Sequence, residues 1–304
     1  MLSDAVNRHI ELHRSMGFKY KVQEYMLHSF AAFAESRSEQ FIQTDTVLQW
    51  AESAPSIRQR YDRLLTVRRL ACSLNAENER HQVPPIDIFG HAPRRRRTCH
   101  IFTHDEINRL LQTAAQFTSR RTIQAATFRA ALSLIACTGL RVSEALKLQL
   151  SDITEDGLLI RATKFQKSRL VPLHATAHHG LEQYLSVRKR IKTTATAVFV
   201  SKRGTAIPYS TMNQTFLYVA RSAGLRPGPG LGGCRIQDLR HTFAVRSLEQ
   251  CVGDRKSVAR HMTALSTYLG HAHVSDTYWY LQATPKLLYD VAEAAEALYR
   301  GGLK

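Results

Sequence analysis

The chain has 304 residues, with 42 Lys and Arg against 25 Asp and Glu, and a formal net charge of +17 at pH 7. This length is sufficient for two domains with separate cores, and a basic excess of this size indicates an anionic partner. Residues 1–93 carry 11 basic and 11 acidic side chains, so the whole excess lies in residues 94–304. A uniformly basic protein of the ribosomal type would not divide its charge in this way.

Several other classes are excluded by what the sequence lacks. It contains no run of 18 apolar residues, and its first residues, MLSDAVNRHIEL, lack a charged and then apolar signal pattern. We therefore expect no membrane association and a cytoplasmic location. The five cysteines are widely spaced with no CxxC pair, which predicts neither a disulfide framework nor a zinc site. Clustered carboxylates and a P-loop are also missing, so no metal and no cofactor is expected.

Residues 1–83 predict a small domain of four helices, because apolar residues recur at helical spacing and Gly17 interrupts the first run. A basic helix runs from Ser56 to Cys72 and carries Arg58 and Arg68 beside apolar positions. It is a candidate surface for the anionic partner. A solvated basic face remains an equal alternative, because acidic residues balance the charge of this domain.

Residues 84–99 form a predicted linker that is rich in proline and arginine. Its prolines at 84, 85 and 93 break the helical pattern, and four consecutive arginines follow, namely Arg94, Arg95, Arg96 and Arg97. Adjacent guanidinium groups repel one another unless phosphates lie between them, so these four are candidate phosphate contacts. The alternative is a flexible, solvated linker.

Residues 100–304 predict a second domain that is mainly α-helical and contains a small β-hairpin. Thr103 is a helix cap with Glu106 three residues later. Two strands, 158–161 and 169–173, flank a loop that carries Lys164 and Lys167. Further predicted elements are helices at 122–137, 143–150, 181–191 and 210–223, and a short strand at 198–200.

Four separated motifs in this second domain suit chemistry at a phosphate. Arg141 emerges from the sequence TGLRVSEAL, Arg240 lies within RIQDLRHTFA, His271 follows Gly270, and Tyr280 comes nine residues after His271. A guanidinium offers paired donors and stays charged, whereas a phenol is a poor nucleophile without neighbours that activate it. Taken singly, the motifs have structural explanations: an ion pair of Arg141 with Glu144, and a helix-packing aromatic cluster around Tyr280.

In this order and context, the four motifs resemble the tyrosine recombinase (phage integrase) family over roughly Ile101 to Ala283. The resemblance implies a helical core-binding domain and a mainly α catalytic domain with a small hairpin. It also implies site-specific DNA strand exchange, for integration, excision or movement of a mobile element. The tyrosine, Tyr280, would form a 3′-phosphotyrosyl bond and release a 5′ hydroxyl, which retains the bond energy for rejoining.

The resemblance also implies roles for individual residues. Arg141 and Arg240 would hold the phosphate, and His271 would take part in proton transfer. A hairpin lysine would protonate the leaving 5′ oxygen; Lys164 matches it by position and Lys167 is the reserve, although both could be simple phosphate contacts.

One position departs from the family pattern: Gln237 stands where a histidine is expected. Glutamine can hydrogen-bond a phosphate oxygen but cannot accept the phenol proton.

The implied partner is double-stranded DNA with specific recombination sites. Contacts are expected from the four linker arginines, from Arg58 and Arg68, and from Lys167. A terminal helix with Leu287 and Leu298 implies a homo-tetramer, or a hetero-assembly with related recombinases, unless it packs on its own domain.

Two other functions stay open. One is a DNA-binding accessory partner with weak or no catalysis, which Gln237 motivates, and the other is a topoisomerase-like nicking and closing enzyme.

Overall fold

The computed structural model describes residues 2–90, 98–116, 123–161, 168–228, 230–250, 255–271, 273–278, 280 and 296. The chain divides into two compact units, Met1–Arg96 and Arg97–Lys304. Each unit has its own hydrophobic core. The two are described separately below.

The first unit is a bundle of four helices, as the sequence predicted. The helices are α1 (Leu2–Ser15), α2 (Lys21–Glu35), α3 (Thr44–Glu52) and α4 (Ile57–Glu77). Gly17 follows α1 with a φ of 86°, a left-handed conformation that glycine adopts without strain. The side chain of Ser56 accepts a hydrogen bond from the backbone N–H of Gln59 and caps α4. Phe30 and Trp50 meet edge to face in the core of the bundle.

The second unit is mainly helical. Its helices are α5 (His104–Ala115), α6 (Ile123–Thr138), α7 (Val142–Lys147), α8 (Ala175–Arg188), α9 (Tyr209–Ser222), α10 (Gln237–Glu249), α11 (Arg255–Leu269) and α12 (Ser275–Tyr278). The predicted capping box at the start of α5 is confirmed, since Thr103 and Glu106 each accept the other's backbone N–H. Helix α6 is apolar on most of its surface and lies in the core, as such helices must.

A three-stranded antiparallel sheet accompanies these helices. Strands β1 (Ile153–Thr154), β2 (Gly157–Ile160) and β3 (Arg169–Val171) lie in the order β1-β2-β3. Strands β2 and β3 form the predicted hairpin, with Leu158 opposite Val171 and Ile160 opposite Arg169. The short strand β1 was not predicted, because two residues are too few to show an alternating pattern. The loop that carries Lys164 and Lys167 lies outside the described residues.

The structure corrects two predicted elements. Residues 198–200 are not a strand: isolated bridges pair Gln149 with Ala197 and Val200 with Ala206. This apolar run resembles a strand because all three of its side chains are fully buried. Helix α8 begins at Ala175, six residues before its predicted start, because the His174 side chain accepts the backbone N–H of Thr176 at 3.3 Å.

The ends of α6 and α11 determine where the motif residues lie. Each helix is followed by a glycine in the left-handed conformation, Gly139 with φ 62° and Gly270 with φ 67°. The Gly139 N–H donates to the carbonyl of Ile135 at 2.9 Å, and the Gly270 N–H donates to that of Thr267 at 2.9 Å. The chain therefore turns sharply just before Arg141 and just before His271.

We predict that Gly139→Ala destabilises the protein more than Gly224→Ala. Both glycines have positive φ values, 62° and 70°, so an alanine at either position carries a left-handed penalty of roughly 1–2 kcal/mol. Only at Gly139 would the new Cβ also meet a neighbour, Cδ1 of Phe243, at 2.5 Å, whereas nothing lies within 4 Å at Gly224. Urea unfolding measures both losses in free energy of unfolding, and equal losses would contradict the proposed contact.

Candidate active site

Arg240 is a buried positive charge at the centre of the candidate site, with 2% of its surface exposed. Its Nη1 donates to the carbonyl of Gly139 at 2.7 Å, and its Nη2 donates to that of Leu269 at 2.8 Å. These carbonyls stand at the ends of α6 and α11, where helix dipoles favour a cation. Burial and then the charge of Arg141 lower the pKa of Arg240 to about 10, so it remains protonated at neutral pH.

Arg141 immediately precedes α7 and faces both its own helix and the Gly270 turn. Its Nη1 donates to Glu144 Oε1 at 2.8 Å, and its Nη2 donates to the carbonyl of Gly270 at 3.1 Å. The ion pair between Arg141 and Glu144, which was the structural explanation for Arg141, is therefore present. The side chain is nevertheless 30% exposed, so its guanidinium can also reach a bound anion. Arg141 can therefore form the ion pair with Glu144 and still bind an anion.

Arg169, the first residue of β3, was missed by the sequence analysis. Its Nη2 and Nη1 donate to the two carboxylate oxygens of Glu144 at 2.9 and 3.2 Å, and its Nε donates to the carbonyl of Tyr268 at 2.7 Å. It thereby ties the hairpin, α7 and the end of α11 together. The only sequence signal was a basic residue at the start of a strand, which does not reveal partners so distant along the chain.

Glu144 balances these two arginines. Its carboxyl is 8% exposed, and burial alone would raise its pKa. Hydrogen bonds and charge from Arg169, together with hydrogen bonds from Arg141, outweigh burial and lower that pKa to about 2. Glu144 is therefore ionised at neutral pH, but it is a single negative charge in contact with two guanidinium groups.

His271 is a neutral imidazole whose tautomer follows from its partners. Its Nε2 lies 3.1 Å from Nη2 of Arg240, and its Nδ1 lies 2.8 Å from Oγ1 of Thr277. Because arginine can only donate, Nε2 accepts and Nδ1 carries the proton. Burial, and then the charges of Arg240 and Arg141, lower the pKa of His271 to about 4.

Tyr280 lies beside this histidine. Its ring stacks on that of His271, with centroids 6.1 Å apart, and the residue is 3% exposed. It belongs to a buried cluster with Val245, Leu248 and Leu269. Burial raises the pKa of Tyr280, and the positive charge of Arg240 partly opposes that rise. Tyr278, the neighbouring candidate, is 55% exposed.

His241 contacts the tyrosine from another side, which the sequence analysis did not anticipate. The centroid of its ring lies 5.5 Å from that of Tyr280, and burial lowers its pKa. The position of His241 next to Arg240 in the sequence does not reveal where Tyr280 packs, so this contact could not be predicted.

Gln237 is the first residue of α10 and lies one helical turn before Arg240. It is half-buried. Within the described part of the chain, no hydrogen bond holds its side-chain amide. The amide is thus available to a bound ligand, although its role remains a prediction.

The remaining predicted contacts lie elsewhere. Arg94 to Arg97, Lys164, Lys167 and the predicted terminal helix around Leu287 and Leu298 fall outside the described residues. On α4, Arg58 is exposed and donates to Oδ2 of Asp62 at 3.0 Å, whereas Arg68 is half-buried and donates to the carbonyl of Pro84. Their contact with DNA remains a prediction. Among the described helices, none is both long and apolar enough to cross a membrane.

A mainly helical domain that gathers arginines, a histidine and a tyrosine is suited to an enzyme that acts on a phosphodiester. Residues 100–286 match the profile of the Phage integrase family. The chain belongs to this family.

Named relatives agree with this assignment. The chain is 34% identical over 302 residues to the putative integrase/recombinase y4rB of Sinorhizobium fredii, covering 96% of each chain. It is 30% identical over 199 residues to the tyrosine recombinase XerD of Oceanobacillus iheyensis, covering 64% of this chain and 61% of the relative. The protein is a site-specific DNA recombinase, an enzyme that cleaves and rejoins DNA, and the alternative of a non-catalytic partner is not favoured.

A solved structure shows the same fold. The structure of a lambda integrase tetramer bound to a Holliday junction aligns with a TM-score of 0.63 at 17% identity, covering 91% of this chain and 76% of that one. The predicted fold class, a helical first domain followed by an α-rich domain with a small sheet, is confirmed.

We predict that the stabilising effect of Glu144 depends on pH. Its folded pKa of about 2 lies below the ordinary value of 4.5, so its contribution is complete above about pH 4.5 and is lost as pH falls toward 2. Glu144→Gln should reduce the free energy of unfolding by about 3 kcal/mol at pH 7 and by progressively less below pH 4.5. Urea unfolding at several pH values measures this loss.

The matched control is the exposed Glu155 in the same unit. Glu155→Gln should change stability little at any pH, because an exposed surface substitution removes few interactions. A loss for Glu144→Gln that stayed constant from pH 7 to pH 3 would contradict the ionic origin of its contribution.

Proposed function

We propose that this recombinase cleaves double-stranded DNA at specific sites with Tyr280 as nucleophile and with Arg141 and Arg240 holding the scissile phosphate. The observation that carries the proposal is the contact chain at Arg240. Its guanidinium lies 3.1 Å from the His271 ring, and that ring stacks on Tyr280. A buried cation, a neutral base and a phenol thus meet at one point.

The charge balance of the site supports an anionic substrate. Arg141 and Arg169 contact a single carboxylate, Glu144, and Arg240 lies nearby, so this cluster carries a net positive charge. Attack on a phosphodiester places negative charge on the non-bridging oxygens of the transition state. Fixed guanidinium donors stabilise that charge without reorganising at the moment of reaction. Arg141, which is partly exposed, and Arg240 are the proposed phosphate ligands, and Arg169 positions Glu144.

Proton transfer from Tyr280 is assigned to His271. With a pKa of about 4, His271 is a weak base in the free protein, because it is buried and because Arg240 and Arg141 stand beside it. A bound phosphate would neutralise part of that charge and raise the pKa of His271 toward the range where a general base is efficient. Gln237, on the turn before Arg240, is proposed to hydrogen-bond a phosphate oxygen.

Cleavage also requires the phenol of Tyr280 to become accessible. In this structure the residue is almost fully buried among the side chains of α10 and α11. We propose that the form described here precedes catalysis and that Tyr280 leaves its cluster when DNA binds. The proposed active form therefore differs from this one mainly in the segment that contains α12.

The wider DNA contacts follow from charge and from the family relationship. We propose that Arg94 to Arg97, Arg58 and Arg68 contact phosphates, and that Lys164 protonates the leaving 5′ oxygen, with Lys167 nearby. The solved lambda integrase structure is a tetramer bound to a Holliday junction, and a tetrameric assembly on DNA is proposed here as well. Integration or movement of a mobile element is the proposed biological setting.

We predict that Tyr280→Phe abolishes the covalent protein–DNA complex and that Tyr278→Phe does not. Only Tyr280 contacts the His271 ring, whereas Tyr278 is largely exposed. The protein is incubated with a nicked duplex that traps the 3′-phosphotyrosyl product, and the complex is measured by denaturing gel electrophoresis. Tyr278→Phe is the matched control. Loss in Tyr278→Phe with retention in Tyr280→Phe would identify the other ring as the nucleophile.

A second prediction concerns Gln237, the departure from the family pattern. A well-placed general base contributes roughly 10²- to 10⁴-fold in rate, so Gln237→His should accelerate single-turnover cleavage. Gln237→Ala should slow cleavage by removing one hydrogen bond to phosphate. His271→Ala should slow it further, because the proposed base is lost.

These rates also test the accessory-partner alternative, which Gln237 alone favours. A wild-type protein that forms no covalent complex, together with a Gln237→His variant that does, would support that alternative. Equal rates for wild type and Gln237→Ala would show that Gln237 has no part in the site.

A further inference from the structure

Three chemically suited side chains meet beside α10. They are Cys99, which lies just before α5, and Asp238 and His241 on α10. Their potential ligand atoms, the Cys99 Sγ, a carboxylate oxygen and a ring nitrogen, all lie within 4.8 Å of one another. Asp238 and His241 are three residues apart and so share one face of the helix. Cys99 is 139 positions before Asp238 in the sequence, which is why no ligand spacing is visible there.

The polar atoms of this group are not all satisfied by the protein. Asp238 is 1% exposed. Among the described residues, Nδ1 of His241 is buried and has no hydrogen-bond partner. A buried polar nitrogen without a partner is unfavourable and calls for an explanation, such as an ion. A metal ion bound at this cluster would bring such a partner to the buried imidazole.

The donor set selects the kind of ion. A thiolate and an imidazole favour borderline-soft ions, and a carboxylate is compatible with them, so Zn²⁺ fits better than Mg²⁺ or Ca²⁺. Zinc–ligand bonds of roughly 2.0–2.3 Å place tetrahedral ligand atoms roughly 3.5 Å apart. The ligand atoms must therefore approach one another by at most about 1.3 Å. Cys99 is half-buried, and rotation of its side chain can supply that movement.

One existing contact competes with a metal. Oδ1 of Asp238 accepts a hydrogen bond from Nη2 of Arg235 at 3.1 Å, while Oδ2 accepts the backbone N–H of Arg235 at 2.8 Å. The Arg235 side chain is 40% exposed, so its guanidinium can turn into solvent at small cost. The backbone hydrogen bond would keep the carboxylate in place.

We propose that Cys99, Asp238 and His241 bind one Zn²⁺ ion, with water as the fourth ligand. The ion would fix His241, whose ring lies 5.5 Å from that of Tyr280. Since Tyr280 packs in a buried position against this ring, the bound ion would hold Tyr280 there and slow DNA cleavage. This last consequence rests on the proposed role of Tyr280 as the nucleophile, whereas the binding itself does not.

Zinc binding is tested on the full chain without DNA. Protein stripped of metal is titrated with Zn²⁺ against a chromophoric chelator, and Co²⁺ serves as a second probe because thiolate ligation produces a charge-transfer absorption. We expect one equivalent of Zn²⁺ per wild-type chain. Cys99→Ser should weaken binding by more than the ~10- to 100-fold that loss of an outer-shell partner costs, and should remove the Co²⁺ charge-transfer band.

Two variants serve as comparisons. Cys72→Ser removes an exposed thiol in the first unit and should bind Zn²⁺ as the wild type does. Arg235→Gln should bind Zn²⁺ more tightly, because it removes the competing guanidinium from Asp238. Equal affinity in wild type and Cys99→Ser would overturn the site, as would loss of binding in Cys72→Ser.

The effect on cleavage is measured separately with the nicked duplex. Stoichiometric Zn²⁺ should slow covalent-complex formation by wild type and leave the rate of Cys99→Ser unchanged. If wild-type protein binds Zn²⁺ but cleaves at the same rate with and without the ion, the proposal that Zn²⁺ keeps Tyr280 buried is wrong. A protein that never cleaves would contradict the proposed function, while the titration would still decide the metal site.

Discussion

The buried guanidinium of Arg240 is the interaction on which the rest of the catalytic unit depends. It donates to the carbonyls that end α6 and α11, and both helices turn at left-handed glycines directly beside these bonds. Without the guanidinium, two buried carbonyl groups would lose their partners, which is costly in a core. The same side chain therefore holds the fold together at the point where Arg141 and His271 emerge. Arg240, the proposed phosphate ligand, is therefore also a structural residue.

The second constraint is electrostatic. Arg141 and Arg169 share one carboxylate, that of Glu144, and Arg240 adds a third guanidinium nearby. Burial, and then the charges of Arg240 and Arg141, keep His271 neutral and weakly basic. The site is thus prepared for an anion. Binding of a phosphate would relieve the excess of positive charge and strengthen the base in one step. Tyr280, protected from solvent until then, would not be exposed to other targets. In the proposed mechanism, the contacts of His271 with Arg240 and Tyr280 would couple substrate binding to activation.

The sequence predicted features whose residues lie close together in the chain better than features whose residues lie far apart. The Thr103 capping box and the hairpin were predictable because their partners are three residues apart or in adjacent strands. Residues 198–200 were misread because full burial produces the same apolar run in a strand and in an irregular segment. Arg169 was missed, since its partners Glu144 and Tyr268 lie 25 and 99 positions away.

The sequence by itself contained the motifs and predicted the two-domain organisation. It also contained the nine-residue interval that favours Tyr280 over Tyr278 as the predicted nucleophile. These are local properties, because they depend on the composition of the chain and the spacing of its residues. Only the tertiary structure decided that Arg240 bonds the ends of two helices, that His241 faces Tyr280, and that Cys99 lies beside Asp238. Such contacts join residues far apart in the chain, and they form only where the packing of α6, α10 and α11 places their side chains within reach of one another.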